Sequence, residues 1–210
     1  MNDDLVQPER CFGAHGHRDM EILTFIIHGQ LTHKDSTGIE ETLGRGGLQY
    51  MTAGTGVLHS EQNLHPFEPL RFIQFWVLPR ERGLTPRYGS MPGDAVAEAA
   101  RFNQWSHVVS DVLAQANTPV KIHQDCNVYL LDLTHQATAQ LMIDTGRQGY
   151  LLCVEGSAKL QDADGQVRGM RQHDAAELKG PLFLDAKADV GGALLLLLEM
   201  GHTSDERSDL

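Results

Sequence analysis

Cysteine is scarce, with only Cys11, Cys126 and Cys153 in 210 residues. An odd number without C-x-x-C spacing excludes a disulfide framework and a thiolate zinc ribbon, so reduced thiols are expected. Positive charge is also short: 17 Lys and Arg face 28 Asp and Glu, a formal net charge of -11. A surface of that sign repels phosphate backbones and anionic membranes. No run of Lys or Arg exceeds two residues, and the phosphate-cradling patterns G-x-x-x-x-G-K-[ST] and G-x-G-x-x-G are both missing. Direct nucleic-acid binding is not expected. Long apolar runs are absent too. The longest, Ala193 to Leu198, is far below the roughly 20 residues a membrane-spanning helix needs. Met1 to Arg10 is polar and acidic, without the apolar core of a secretion signal. A cytoplasmic protein with no membrane association is expected.

What is present is glycine, 21 residues of it, and 41% apolar residues in short runs. Ile22 to Ile27, Leu70 to Leu78, Val128 to Leu133, Tyr150 to Val154 and Ala193 to Leu198 are separated by Gly-containing turns, and their lengths suit strands buried in a sandwich or barrel. One segment, about Asp94 to Leu113, has a helical pattern and lies between two β-rich halves. Those halves share a weak repeat. The strand Leu23 to His28, then Gly29, a second strand and the turn Asp35-Ser-Thr-Gly38 can be laid over Tyr150 to Glu155, Gly156, a second strand and Asp162-Ala-Asp-Gly165. Asp hydrogen-bonds its own backbone and Gly adopts positive φ, as a hairpin turn requires.

Chemistry-bearing residues cluster in the first half. His15-Gly-His17 places two imidazoles at i and i+2, on one face of a strand, because strand side chains alternate. His59-Ser-Glu61 repeats the spacing with an imidazole and a carboxylate. If these strands face each other, four N/O donors converge. Three imidazoles and a carboxylate suit a borderline divalent ion such as Fe(II), Cu(II), Mn(II), Ni(II), Co(II) or Zn(II), and leave open positions on an ion preferring five or six ligands. Competing readings are weaker. Ser60 with His59 or His65 and Asp35 lacks the G-x-S-x-G elbow of a hydrolase. Cys11 reads as an incidental thiol rather than a reactive one. His28, His33 and His65 read as solvent-exposed or simply hydrogen-bonded.

The segment Gly13-Ala-His15-Gly-His17-Arg-Asp-Met-Glu21 followed by Gly29 resembles the first cupin motif, and Gly54-Thr-Gly56-Val-Leu-His59-Ser-Glu61-Gln-Asn63 resembles the second. More narrowly, His17-Arg-Asp-Met-Glu21-Ile-Leu-Thr-Phe25, Thr32-His33-Lys-Asp35-Ser36 and Gln49-Tyr-Met51-Thr-Ala-Gly54-Thr-Gly56 resemble the pirin family. Gln74-Phe-Trp76-Val-Leu-Pro79 and Leu84-Thr-Pro86-Arg-Tyr88 add a likeness to the bacterial pirin-like quercetin 2,3-dioxygenases.

The resemblance implies an all-β fold of two tandem cupin (double-stranded β-helix, or jelly-roll) barrels, the N-terminal one lacking its usual first strand region and so leaving an open sheet edge. It divides the chain into an N-terminal metal-binding lobe, residues 1–93, a connecting, partly helical segment, 94–118, and a C-terminal cupin-like lobe without metal ligands, 119–210. It also implies one divalent transition metal, iron foremost, held by His15, His17, His59 and Glu61. Glu61 would be the catalytic proton acceptor, and Glu21 a residue behind the ligands or a buried structural carboxylate. Aligning Gly29 with Gly156 puts Met142, Asp144, Ala186 and Ala188 where the first lobe has its four donors, so one metal per chain is expected. The implied activity is cleavage of a flavonol such as quercetin by O₂ with release of carbon monoxide, Phe25, Ile27 and Met51 being candidate pocket walls. The alternative is a non-enzymatic metal- or redox-sensing binding protein with the same ligands.

Overall fold

The computed structural model describes residues 1–201; positions 202–210 of the expected C-terminal lobe lie outside the described residues. The chain divides into two compact units, Met1–Glu98 with Val112–Gln124, and Ala99–Asp111 with the residues from Asp125 onward. No helix among the described residues is long and apolar enough to cross a membrane.

The first unit begins with nine strands: β1 Asn2–Val6, β2 Cys11–His17, β3 Glu21–His28, β4 Gln30–Asp35, β5 Glu40–Gly44, β6 Leu48–Thr52, β7 Val57–Gln62, β8 Leu70–Val77 and β9 Arg87–Met91. They form a five-stranded sheet in the order β1-β8-β3-β6-β9 and a four-stranded sheet in the order β2-β7-β4-β5, with antiparallel pairings throughout. The two sheets pack through an apolar cluster in which Val6, Ile26, Leu70 and Phe72 of the first meet Leu31 and Leu43 of the second. A second cluster joins Ile22 and Met51 to Ala53 and Val57. The arrangement is a jelly-roll sandwich. Its hydrogen-bonded ladders are open rather than closed cylinders, so the barrels expected from sequence are barrel-like in packing only.

Next comes α1, Ala95–Arg101, followed by β10, Ser106–Asp111, and β11, Val120–Ile122. The helix starts where Asp94 Oδ1 accepts from the backbone N–H groups of Val96 and Ala97, at 3.1 and 2.9 Å. It stops before Asn103, whose φ of 55° is the left-handed conformation that ends helices. The helical pattern over 94–113 thus overreached: Val108 and Val109 are buried strand residues of β10, where adjacent β-branched side chains fit better than in a helix.

The second unit adds β12 Cys126–Leu133, β13 Thr138–Ile143, β14 Arg147–Asp162, β15 Val167–Arg171, β16 Ala175–Lys179 and β17 Leu182–Gly201. Its ladder runs β10-β12-β17-β14-β15, with β13 on β17 and β16 on β14. The long strands β14 and β17 pair along their lengths, with register shifts at Cys153/Glu155 and Gly156/Ala158.

The repeat read from sequence is present in the backbone. Gly29 and Gly156 have φ of 76° and 73°, and a Cβ there would lie 2.5 Å from the Pro69 carbonyl oxygen and 2.1 Å from that of Gly192. Both positions need glycine for conformation and for room. Asp35 Oδ1 accepts from the backbone N–H of Thr37 at 2.8 Å, and Asp162 Oδ1 from that of Asp164 at 3.1 Å, so the two Asp-x-x-Gly turns are built alike. The interiors differ. Ala186 and Ala188 belong to an apolar cluster with Leu131, Leu151, Leu195 and Leu197, whereas the interior of the first unit is polar at one end.

Candidate metal centre

That polar end is assembled by strand register. On β2 and β7, His15 stands directly opposite His59, with His17 two residues along β2. Glycine at position 16 separates the two imidazoles, so both project from the same face of β2. The three rings converge, with centroids 4.8 Å apart for His15–His17, 4.5 Å for His15–His59 and 5.0 Å for His17–His59. Each offers a nitrogen within 4.8 Å of the other two. Exposure falls inward, from His15, which is exposed, through His17 to His59, at 3%.

Glu61 lies beside this group and closes a second triplet: it, His59 and His33 present donor atoms within 4.8 Å of one another. On the neighbouring strand β4, His33 pairs with Glu61 and Asp35 with His59. The Glu61 carboxylate is cradled. Gln49 Nε2 donates to Oε1 at 2.8 Å, the Thr24 hydroxyl donates to Oε1 at 3.4 Å, and Gln74 Nε2 donates to Oε2 at 2.9 Å. Trp76 fixes the last of these, because its indole N–H, which can only donate, takes Gln74 Oε1 at 3.0 Å.

Burial controls the protonation of the cluster. It holds the His59 imidazole down to about 3, helped by the neighbouring His15, His33 and His17 rings. His17 is lowered by burial and then by His15. Both rings are therefore neutral at physiological pH and carry a lone pair. Burial pushes the Glu61 carboxyl above its usual range, against the opposing pull of Gln74, His33, His15 and Thr24.

Several of these nitrogens have no hydrogen-bond partner although buried: His17 Nε2, His33 Nδ1 and both nitrogens of His59. Unpaired buried polar atoms are rare, and three neighbouring rings each left with at least one call for a shared partner. A divalent cation fits that role, since it takes neutral imidazole lone pairs and a carboxylate together. His15 Nδ1 lies 2.7 Å from the Gly13 carbonyl, which only accepts, so Nδ1 carries the hydrogen and Nε2 keeps the lone pair.

Of the residues singled out in the sequence, His15, His17 and His59 come together as one triplet, and Glu61 joins through His59 and His33. Glu21 does not reach the cluster and sits instead as a buried, hydrogen-bonded carboxylate. It lies on the opposite face of β3 from Thr24, fully buried, and accepts from the Thr52 hydroxyl at 2.9 Å and the His123 backbone N–H at 2.8 Å, with His123 Nδ1 at 2.9 Å. Odd positions on β3 point away from the site, which also removes Phe25 and Ile27 from its wall; Met51 stays on the site's side with Gln49. His28 is exposed, and His65 Nδ1 accepts from backbone N–H groups of Phe67 and Glu68 in a local turn, at 3.2 and 2.7 Å. His33 is buried and hydrogen-bonded, its Nε2 lying 3.0 Å from Asp35 Oδ2. Cys11, Cys126 and Cys153 form no disulfide among the described residues.

The residues missed in the sequence were Thr24, Gln49 and Gln74. A signal existed: Thr24 and Gln74 interrupt otherwise apolar runs, and a polar residue buried mid-strand needs a partner.

Comparison with known proteins agrees with the geometry. The family model described as Pirin matches residues 1–77, and the model described as quercetinase C-terminal cupin domain matches 108–200. A quercetin 2,3-dioxygenase of Escherichia coli O157:H7 is 34% identical over 167 residues, covering 80% of this chain and 69% of the relative. The bacterial pirin YhhW of Escherichia coli, solved in complex with nickel(II), superposes with a TM-score of 0.80 at 28% identity, covering 96% of this chain and 81% of that one. A quercetin 2,3-dioxygenase from Acinetobacter baumannii shares the fold, with a TM-score of 0.71 at 21% identity over 96% of this chain and 71% of its own. On this agreement of sequence models, a relative and structural neighbours, the chain is a member of the pirin family of two-lobed, cupin-type proteins.

Proposed function

We propose that the first lobe holds one divalent transition metal through His15, His17, His59 and Glu61, and that the protein uses it to open the central heterocycle of a flavonol with O₂. The observation that supports this most strongly is the convergence of neutral, unpartnered imidazole nitrogens on a buried carboxylate. The name of the Escherichia coli relative, quercetin 2,3-dioxygenase, suggests the substrate class, a flavonol such as quercetin. In the balanced reaction the bonds on either side of the 3-carbon break, that carbon leaves as carbon monoxide, and the two oxygens of O₂ end on the flanking carbons.

When bound, the ion would supply Lewis acidity toward the flavonol 3-hydroxyl oxygen. The chain's own residues prepare the rest. Oε1 of Glu61 is occupied by Gln49 and Thr24, while Oε2 takes only Gln74, so Oε2 keeps one lone pair, which would serve the ion in the free site and the 3-hydroxyl proton in the substrate complex, not both together. Burial raises the affinity of Glu61 for a proton, whereas a bound cation would lower it. Trp76, packed edge-on against His17 at 4.9 Å and half exposed, offers a ring edge to a flat aromatic ligand at the mouth.

The test is direct. Metal-free protein is loaded separately with Fe(II), Mn(II), Co(II), Ni(II) and Cu(II), then given quercetin in air, while flavonol absorbance and released carbon monoxide are followed. Turnover with at least one metal, abolished together with metal content in His59→Ala, is expected. Retention of metal without turnover by any loaded form would sink the oxygenase reading and leave the protein a metal-responsive binder.

A further inference from the structure

The second lobe has a cavity of its own, of about 300 Å³, lined in part by Met142 and Asp144. These are the two positions that the repeat aligns with His15 and His17. The second lobe therefore has an opening where the first has its imidazoles. Ligand pockets commonly run from about 300 to 1,000 Å³, so this one suits a small molecule.

One wall is built around Arg147 on β14. Its guanidinium donates through Nη1 and Nη2 to Asp125 Oδ2 and Oδ1, at 2.9 Å each, and through Nε and Nη2 to the Glu199 carboxylate. Four of its five N–H donors are thereby engaged, which leaves little for an anionic ligand. Glu199, only 6% exposed, also accepts from Asn127 Nδ2 at 2.6 Å, and Asn127 Oδ1 lies 3.0 Å from His107 Nε2. His107 in turn stacks on Tyr129, with ring centroids 4.4 Å apart at 22°. The network holds an aromatic side chain of the lining in place.

Two groups of the lining are left over. Asp144 is exposed, and its carboxylate has no hydrogen-bond or ion-pair partner among the described residues. Trp105 has an indole N–H that is buried without an acceptor, and such a group only donates. The charge of the cavity is negative: the carboxylates of Asp144 and Glu199 face one guanidinium, which Asp125 already neutralises. Burial and then Glu199 raise the Tyr129 phenol above its usual range, against Arg147 and with Asp144. Aromatic rings in a negative setting attract a cation through their faces.

We propose that this cavity binds a small organic cation, an alkylammonium or quaternary ammonium compound carrying a hydroxyl or carbonyl oxygen, against the Trp105 and Tyr129 rings with its charge toward Asp144. The oxygen would supply the acceptor that the indole lacks. None of these residues belongs to the metal centre, so the two sites stand or fall separately.

Choline, its uncharged analogue with carbon in place of nitrogen, and benzoate are titrated into isotope-labelled protein while the indole N–H resonances are followed. Trp105→Phe identifies the Trp105 signal, and Trp76→Phe does so equally well should the first variant fail to fold. Choline is expected to shift that signal saturably, with millimolar affinity or tighter, and the uncharged analogue to bind about tenfold more weakly. Asp144→Asn, at an exposed position, should keep the fold by circular dichroism and weaken choline by roughly two- to fivefold. Equal affinity for choline and the uncharged analogue, or tighter binding of benzoate, overturns the cation assignment. No movement of the Trp105 signal with choline or tetramethylammonium at tens of millimolar removes the site, and choline binding unchanged in Asp144→Asn overturns the placement of its charge.

Discussion

Replacing Gln74 by Leu tests how the fold prepares Glu61. The amide is oriented from outside by the Trp76 indole, and its Nε2 then meets Glu61 Oε2 at 2.9 Å and Thr24 Oγ1 at 3.1 Å. Gln49 and Thr24 both serve Oε1, so the change removes the donor on Oε2 while leaving side-chain volume nearly constant. A hydrogen bond to an ionised group contributes roughly 1.5–3 kcal/mol. At about 1.4 kcal/mol per decade, that is on the order of 10- to 100-fold in the preference for the ionised form. Losing it raises the proton affinity of a carboxyl that burial has already raised. A proton and a cation compete for Oε2, so the metal affinity of Gln74→Leu should fall by about tenfold or more near pH 6. The deficit should shrink toward pH 8.5, where the proton competes poorly. Chelator-competition titrations of both proteins across that range measure it, with circular dichroism confirming the fold. Equal affinities at every pH, or a deficit that does not change with pH, would refute the argument that Gln74 acts by keeping Glu61 ionised.

Two further outcomes are expected. Glu21→Gln should leave metal content and affinity at wild-type values, because Glu21 faces away from the cluster, yet lower stability by about 1–3 kcal/mol through weakened hydrogen bonds to Thr52 and His123; urea titration and metal analysis of one preparation check both. Metal-free protein should lose stability as pH falls from about 6.5, where unfolded histidine begins to protonate, toward the value of about 3 at which His59 does so in the fold. The unfolded state binds the extra proton in that window, so stability is full above it and declines below, by at most about 1.4 kcal/mol per pH unit for this residue. His17 acts in the same direction but is more exposed and adds less. Glu61, with its raised value, acts with the opposite sign and flattens the slope. Urea titrations between pH 7.5 and 4.5 would contradict this if the midpoint stayed constant.

Local rules carried far in this chain. Strand alternation makes His15 and His17 share a face whatever the fold, and it does the same for His59 and Glu61. The conformational need for Gly29 and Gly156, and the Asp-x-x-Gly turns after them, follow from backbone sterics that act over a few residues, which is why the repeat could be read and the second lobe anticipated. Short apolar runs likewise specified strands, but the stretch after Arg101, with Val108 and Val109, was drawn into a helix that the chain ends at Arg101.

What sequence could not decide was which strand lies beside which, and on which face a residue emerges relative to a distant one. Glu21 follows the first histidine pair so closely that it looks like part of the site, yet its odd position on β3 turns it to the far side of the sheet, toward Thr52 and His123. His33 looks ordinary until β4 pairs with β7 and places it opposite Glu61. Gln49 and Gln74 acquire a purpose only when β6 and β8, neighbours of β3, aim their amides across the sandwich at one carboxylate. Periodicity is a property of a single strand and can be read along it, whereas the convergence of donors is set by pairing among strands tens of residues apart, which only the folded packing specifies.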